Sequence, residues 1–140
     1  MEQIKVFLDT DILISALLSK TGASSEVLKI KGFQKIISNT VKSELKEVCA
    51  RLNISHREKL LKNIDCISLN LPKQRIIKNY LEYVFDEKDS HIIAAAVKSK
   101  SKFLLSYNIK DYKIDKIRNN FGIIVSKPGN FLQYLRSLGK

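Results

Sequence analysis

The fold is decided near the N-terminus by the stretch IKVFLDTD, residues 4–11. Residues 4–8 form a short apolar run, which is typical of a strand buried in a parallel sheet. Asp9 follows this run directly, and Asp11 falls in the first turn of an apolar helix. The stretch therefore predicts a buried strand that runs into a helix, with acidic residues at the point where the strand ends.

Strands and helices alternate along the rest of the chain. Further apolar strands are predicted at residues 35–38, 102–106 and 122–126. Amphipathic helices are predicted at residues 39–52 and 86–98 and from Pro128 onward, and the middle third predicts a basic helix, an extended piece at residues 66–71 and a helix opened by Pro72. Because buried strands that alternate with helices indicate a sheet covered on both faces, we expect one three-layer α/β/α domain with a parallel sheet over residues 1–140.

The composition is that of a compact, reduced protein. At 140 residues and 44% hydrophobic residues, the chain can bury a core of ordinary size, which argues against disorder. Cys49 and Cys66 have no CxxC partner, so we expect small core residues rather than a disulfide or zinc site. No apolar run approaches the ~20 residues of a membrane span, and the first residues do not resemble a signal sequence. We therefore expect a cytoplasmic protein that does not enter a membrane.

The charge balance favours a polyanionic partner. The chain has 25 Lys and Arg against 14 Asp and Glu, a formal net charge of +11. Contacts from Lys and Arg to phosphates supply most of the non-specific affinity for nucleic acids. Basic runs at residues 29–31, 98–102 and 113–118 are candidates to follow a phosphate backbone, with Tyr107 or Tyr112 available for base stacking. A solvated surface is the alternative interpretation of each run.

The acids are few, so their positions are informative. Asp9 comes directly after the first strand, at the edge where parallel sheets form their sites, although an N-cap is an equally good interpretation. In the helix over residues 39–52, Glu44 falls beside the apolar stripe and borders the core, whereas Glu47 faces water. An acid in the first turns of a helix is also favoured by the macrodipole, which is the alternative account of Glu44.

Asp89 falls within the apolar stripe of the helix predicted over residues 86–98. Burying a lone carboxylate costs several kcal/mol unless it is paired or bound to metal. Because His91 and Lys98 are expected to occupy the polar face, we favour a functional role for Asp89. The alternative is that Asp86 caps the helix and Asp89 faces solvent in its first turn.

A fourth oxygen ligand follows the strand at residues 102–106, from Asp111 or from Asn108. Acids that follow separate parallel strands meet at one edge of the sheet, where they repel each other unless a divalent cation lies between them. Mg²⁺ and Mn²⁺ prefer oxygen ligands and keep waters that can be activated as nucleophiles. Acids clustered in a basic protein therefore predict phosphodiester cleavage, with Lys and Arg holding the nucleic-acid backbone.

Five stretches in order resemble the motifs of PIN-domain nucleases, especially the VapC-like toxin components of bacterial and archaeal toxin–antitoxin pairs. They are VFLDTDILISALL (6–18), SEL (43–45), DEKDSHIIAAA (86–96), LLSYNIKDY (104–112) and GIIVSKPGNFL (122–132). Residues 51–83 match no motif of this family. The resemblance implies a parallel-sheet α/β/α fold, cleavage of single-stranded or structured RNA that depends on Mg²⁺ or Mn²⁺, and frequent homodimers neutralised by a cognate antitoxin.

The resemblance also implies which residues form the site. Asp9, Glu44 and Asp89 match the three metal-binding acids of the family. Asp111 matches a position next to the fourth acid, and Asn108 stands where many members have Asp, which leaves open whether one or two metal ions bind. Asp111 is taken as the fourth member of the predicted catalytic and metal-binding set.

Two further positions depart mildly from the family pattern. Asp11 stands where the family often has Asn, and Ser106 where it usually has Thr; both are expected to orient the site. The leading hypothesis is a metal-dependent endoribonuclease that acts as a toxin. The alternatives are an RNA-processing nuclease without an antitoxin and a basic RNA-binding module whose acids are only helix caps.

Overall fold

The computed structural model describes residues 3–139, in which five strands form one parallel sheet. In chain order the strands are β1 (Lys5–Leu8), β2 (Gln34–Ser38), β3 (Asp65–Ile67), β4 (Phe103–Leu105) and β5 (Ile124–Ser126). Their order across the sheet is β3-β2-β1-β4-β5, and every neighbouring pair is parallel. The strand order switches direction at β1, and ligand sites of parallel sheets lie at such a point.

Helices connect the strands, because parallel neighbours need long crossovers. They are α1 (Thr10–Leu18), α2 (Ala23–Lys29), α3 (Asn39–Leu52), α4 (Arg57–Leu61), α5 (Lys73–Tyr80), α6 (Ser90–Lys98), α7 (Ile114–Phe121) and α8 (Pro128–Ser137). Short 3₁₀ turns occupy Leu81–Tyr83, Glu87–Asp89 and Ile109–Asp111. The predicted α/β fold with a parallel sheet is confirmed. None of these helices is long and apolar enough to cross a membrane.

The core is centred on β1 and β4, the two strands that carry the switch point. Val6, Phe7 and Leu8 of β1 are fully buried, and Phe7 is in register with Ile36 of β2 and Leu104 of β4. Burial on both faces explains why these strands are continuous apolar runs in the sequence. The residue that follows β1 is therefore held on the most rigid part of the sheet.

One of the two cysteines does not lie where the sequence predicted. Cys49 is buried on α3 as predicted, but Cys66 lies on β3 and is exposed. The prediction that Cys66 is a core residue is wrong, because β3 is an edge strand with only β2 beside it.

The structure adds one helix to those predicted and shortens another. The basic run at residues 113–118 lies largely within α7, which ends at Gly122 in a left-handed conformation with φ of +70°. The helix predicted over residues 86–98 instead begins with the 3₁₀ turn, so that α6 starts at Ser90. Asp89 consequently precedes the α-helix rather than lying within its apolar stripe.

Candidate functional site

A cleft of about 390 Å³ contains all four acids that the sequence nominated. Asp9 enters it from the end of β1, Glu44 from α3, Asp89 from the residue before α6, and Asp111 from the 3₁₀ turn that follows β4. The structure thus brings these four residues to the sheet edge at which sites form in parallel α/β proteins. Their assignment as metal ligands and catalytic residues stays a prediction.

Asp9 is an N-cap, as one interpretation of its sequence position predicted, and it also lies in the cleft at the end of β1. It is the N-cap of α1, where Oδ1 accepts a hydrogen bond from the Thr10 backbone N–H at 2.7 Å. Its Oδ2 accepts from the Ser106 hydroxyl at 2.9 Å and the Tyr112 hydroxyl at 2.6 Å. Burial raises the pKa of Asp9 and outweighs these hydrogen bonds, which lower it. The carboxylate is therefore fixed in position and electrostatically strained when ionised.

Asp11 lies beside Asp9 and shares one of its partners. Oδ2 of Asp11 accepts hydrogen bonds from the Tyr107 backbone N–H at 3.1 Å, the Asn108 side-chain amide at 3.2 Å and the Ser106 hydroxyl at 3.3 Å. Its other oxygen, Oδ1, is buried without a hydrogen-bond partner. Burial first, and then the charge of Asp9, raise the pKa of Asp11 to about 6. One buried acceptor of this acid is thus unused by the protein.

Glu44 borders the core as predicted, and it pairs with a residue that the sequence placed elsewhere. Its Oε1 accepts from the Thr10 hydroxyl at 2.7 Å, and its Oε2 lies 3.2 Å from Nε2 of His91. Burial alone would raise the pKa of Glu44, but the hydrogen bonds from His91 and Thr10 lower it overall. The prediction of His91 on the polar face is wrong, since its side chain is only 14% exposed and meets Glu44 across the cleft.

Asp89 is half-buried, at the N-cap position of α6 but without a side-chain hydrogen bond to that helix. Burial first, and then the charges of Asp9, Asp111 and Asp86, raise the pKa of Asp89 to about 6. The Asp86 side chain caps only the short 3₁₀ turn, by accepting from the Lys88 backbone N–H at 3.0 Å. The Asp89 carboxylate therefore lies close enough to other acids to feel their charge, and it does not cap a helix through its side chain.

Tyr112 has a different role from the one predicted. It is 3% exposed and donates to Asp9, so it cannot stack on a nucleobase. Burial, followed by the charge of Asp9, raises the pKa of Tyr112, which keeps its hydroxyl protonated as a donor. In the sequence, the only local sign of this role is that Tyr112 directly follows the candidate ligand Asp111 after β4.

The donor set of the cleft suits a hard divalent cation. Its acidic ligands offer carboxylate oxygens, and the one nitrogen ligand, His91, is paired with Glu44. The unpartnered Oδ1 of Asp11 and the raised pKa values of Asp11 and Asp89 are expected where a positive charge completes a site. Within residues 3–139, however, no three Asp, Glu, His or Cys side chains are grouped so as to hold a metal ion as they stand. Binding would therefore require side chains of the cleft to close around the ion.

Comparison with known proteins places this arrangement in a family. The family model described as PIN domain matches residues 5–110. A chain of a toxin-antitoxin complex from Klebsiella pneumoniae is similar in fold, with 22% identity, a TM-score of 0.65, and coverage of 88% of this chain and 97% of that one.

Two further solved structures are similar. For VapBC2 from Rickettsia felis bound to a promoter DNA fragment, the identity is 17%, the TM-score 0.66 and the coverage 89% and 98%. For VapBC-1 from nontypeable Haemophilus influenzae, the identity is 14% and the TM-score 0.63, with coverage of 90% of this chain and 99% of that one. No curated protein matches the sequence. Since the family model covers most of the chain and the motifs lie at the cleft, the chain belongs to the PIN domain family.

Proposed function

We propose that this protein is a metal-dependent endoribonuclease that hydrolyses RNA phosphodiester bonds, and that it is the toxin of a toxin–antitoxin pair. Membership of the PIN domain family implies a nuclease. The observation that carries the proposal is the convergence of Asp9, Glu44, Asp89 and Asp111 on one cleft in a chain of net charge +11. Carboxylates that repel each other inside a basic protein are accounted for by a cation and a polyanionic substrate.

The residues that would hold Mg²⁺ or Mn²⁺ are the same four acids. When bound, such an ion polarises the scissile phosphate and lowers the pKa of a coordinated water. Zinc is disfavoured because no Cys lines the cleft and its one His is engaged by Glu44.

The protein's own residues orient the acids and attract the substrate. Tyr112 and Ser106 hold Oδ2 of Asp9 from two directions, and Thr10 holds Oδ1, so the carboxylate keeps one orientation during turnover. Arg51 lines the cleft, and the net charge of +11 attracts the RNA backbone to a site that its own acids would otherwise make repulsive.

The partner proposals rest on the similar structures. One of those structures is a toxin-antitoxin complex, and another, VapBC2, is bound to a fragment of promoter DNA. We therefore include a cognate antitoxin in the proposal. A homodimer is proposed from the resemblance to VapC-like toxins, and a cytoplasmic location from the sequence. Growth arrest on expression, relieved by co-expression of a small neighbouring reading frame, supports the toxin assignment. Accumulation of an unprocessed RNA precursor in a deletion strain, without growth arrest on expression, favours the RNA-processing alternative instead.

The biochemical test is cleavage of single-stranded RNA by the purified protein in Mg²⁺, in Mn²⁺ and in EDTA. We expect cleavage with either ion, none in EDTA, and recovery when the ion is restored. Asp89→Asn removes a cleft acid, and Asp115→Asn, an exposed acid on α7, is the matched control that should cut at the parent rate. RNA that is bound but stays intact with every metal identifies a non-catalytic RNA-binding module and rejects the proposal.

A further inference from the structure

We propose that Phe85 is a stacking platform for one unpaired nucleobase of the RNA, and that Lys113 holds a neighbouring phosphate. The inference deepens the proposed function, on which it rests for the identity of the ligand. It replaces the stacking role that Tyr112 cannot perform, because the Tyr112 ring is buried and its hydroxyl is engaged by Asp9.

Phe85 stands out among the phenylalanines of the described residues. Its side chain is 70% exposed, whereas the other five are buried or partly buried: Phe7, Phe33, Phe103, Phe121 and Phe131. A single exposed apolar residue needs no explanation by itself. The surroundings of Phe85 carry the argument, because its backbone is hydrogen-bonded to that of the cleft residue Asp111 while its ring is open to solvent.

The backbone of Phe85 is tied to that cleft from both sides. Its N–H donates to the carbonyl oxygen of Asp111 at 3.1 Å, and the preceding Val84 forms an antiparallel bridge with Tyr112. The following Asp86 accepts the backbone N–H of Asp89 at 3.0 Å. The ring is thus carried by a segment whose hydrogen bonds fix it against two of the cleft acids, which limits the entropy lost when a ligand binds.

Lys113 supplies the charge that a nucleotide needs at this position. Its Nζ lies 5.3 Å from the centroid of the Phe85 ring, within the range of a cation–π contact. Across residues 3–139, no carboxylate forms an ion pair with this ammonium group, so it remains available for a phosphate. The Lys113 backbone is held by a hydrogen bond from its N–H to the Tyr83 carbonyl at 2.9 Å.

The charges around the ring favour a base over any other part of the RNA. Asp86 and Asp111 flank Phe85, and both act on Asp89 as negative charges, so a phosphate directly on the ring would be repelled. A nucleobase is neutral and has a π-face, while its phosphate can reach the Lys113 ammonium. An aromatic ring with an adjacent cation is the usual means of holding single-stranded nucleic acid without reading its sequence.

The test is equilibrium binding of single-stranded RNA to the full chain in EDTA, measured by fluorescence anisotropy. Phe85→Leu keeps an apolar side chain but removes the flat ring, and Phe85→Tyr keeps the ring. Leu81→Ala, at a 46% exposed apolar residue of the neighbouring turn, is the control. We expect Phe85→Leu to weaken binding about tenfold, and Phe85→Tyr and Leu81→Ala to stay within about twofold of the parent.

An abasic scan of the RNA makes the test specific for stacking. Removing one base should weaken binding to the parent about tenfold and should not weaken binding to Phe85→Leu further, because the two changes delete the same contact. Lys113→Gln should reduce the salt dependence of binding by about one phosphate contact, whereas Phe85→Leu should leave that dependence unchanged.

The outcomes separate this inference from the proposed function. Because binding is measured in EDTA, a chain that stacks a base but never cuts supports the platform and rejects the nuclease. If the parent cuts RNA but Phe85→Leu binds intact and abasic RNA with the same affinities as the parent, only the platform is overturned. A change of oligomeric state in Phe85→Leu with unchanged RNA affinity identifies a protein contact, and this result also overturns the platform.

Discussion

The two walls of the acidic cleft are built in different ways. The buried wall, Asp9 and Asp11, is joined by hydrogen bonds to residues at the end of β4, and burial raises the pKa of both acids. The open wall consists of Glu44, Asp89 and Asp111, which are half-buried or exposed. Among the described residues, its side-chain hydrogen bonds are those of Glu44 with Thr10 and His91.

This difference indicates how the site is assembled. Folding alone fixes the buried wall, because its carboxylates are held mainly by partners in the segment that follows the neighbouring strand β4. The open wall has few such partners and carries mutual repulsion, and we propose that a bound cation organises it. The absence of a ready three-ligand group within residues 3–139 agrees with an open wall that is incomplete without the ion.

The largest effect is expected for Asp89→Asn, which removes one carboxylate of the open wall. This change should lower RNA cleavage by more than the roughly 100-fold typical of losing a supporting partner, because it removes a proposed ligand itself. Without metal, Asp89→Asn should be as stable as the parent or more stable, because it relieves repulsion between the acids. Solvent screens the charge of a half-exposed acid, so the gain should not exceed about 1 kcal/mol. Parent-like cleavage, or a collapse of the melting temperature, would show that Asp89 is structural.

Breaking the buried wall with Tyr112→Phe should have the next largest effect. The change removes the donor at 2.6 Å from Asp9, a hydrogen bond to a charged group, and should cost about 1.5–3 kcal/mol of stability at pH 7. Cleavage should fall about 10–100-fold, because Asp9 loses its fixed orientation. Urea denaturation and initial rates measure both effects, and Tyr134→Phe on α8 is the control, expected to match the parent. Unchanged values for Tyr112→Phe would mean that folding does not fix Asp9 through this contact.

The pH dependence of stability tests the repulsion between the cleft acids without an RNA assay. A carboxyl whose pKa is raised on folding contributes its full stability below its unfolded pKa of about 4, and loses it as the pH rises through about 6. Urea denaturation in EDTA should therefore show the parent losing stability relative to Asp89→Asn between pH 4 and pH 7. A difference between the two proteins that stays constant over this range contradicts the repulsion.

The smallest expected effect is that of His91→Ala, which removes one of the two hydrogen-bonding partners of Glu44 in the open wall. The pair with Glu44 is partly exposed, so its loss should cost less than about 1 kcal/mol of stability. Cleavage should fall less than about tenfold, and His91→Gln, which keeps a donor, should restore the parent rate. If His91→Ala proves as damaging as Tyr112→Phe in both assays, the two walls do not differ in the proposed way.

The parallel α/β fold was predictable because buried strands leave continuous apolar runs, as at β1 and β4. Helix α7 was missed, although Ile114, Ile117 and Phe121 recur at helical spacing and Gly122 ends the helix. The many charges between those apolar residues led to an interpretation of the run as a phosphate-binding or solvated surface, without a helix. A helix whose partner is an adjacent strand has only a narrow apolar face, which a basic run hides.

The positions of Asp9 and Glu44 followed from a strand end and a helical wheel, which are local features of the chain. The orientation of His91 and the bond from Tyr112 to Asp9 depend on packing between residues 47 and 103 positions apart in sequence. The wheel also placed Asp89 within a helix that the 3₁₀ turn shortens, because local propensity does not fix where a helix begins. Contacts of this kind arise from tertiary structure, so one sequence alone does not reveal them.

The most direct test of the central claim is a crystal of the protein grown with Mn²⁺ and measured at the manganese absorption edge. The claim predicts an anomalous peak in the cleft, within coordination distance of carboxylate oxygens of Asp9 and Asp89, and none in a crystal of Asp89→Asn. A metal-loaded crystal of active protein without a peak in this cleft, or with its peak on other residues, would contradict the claim.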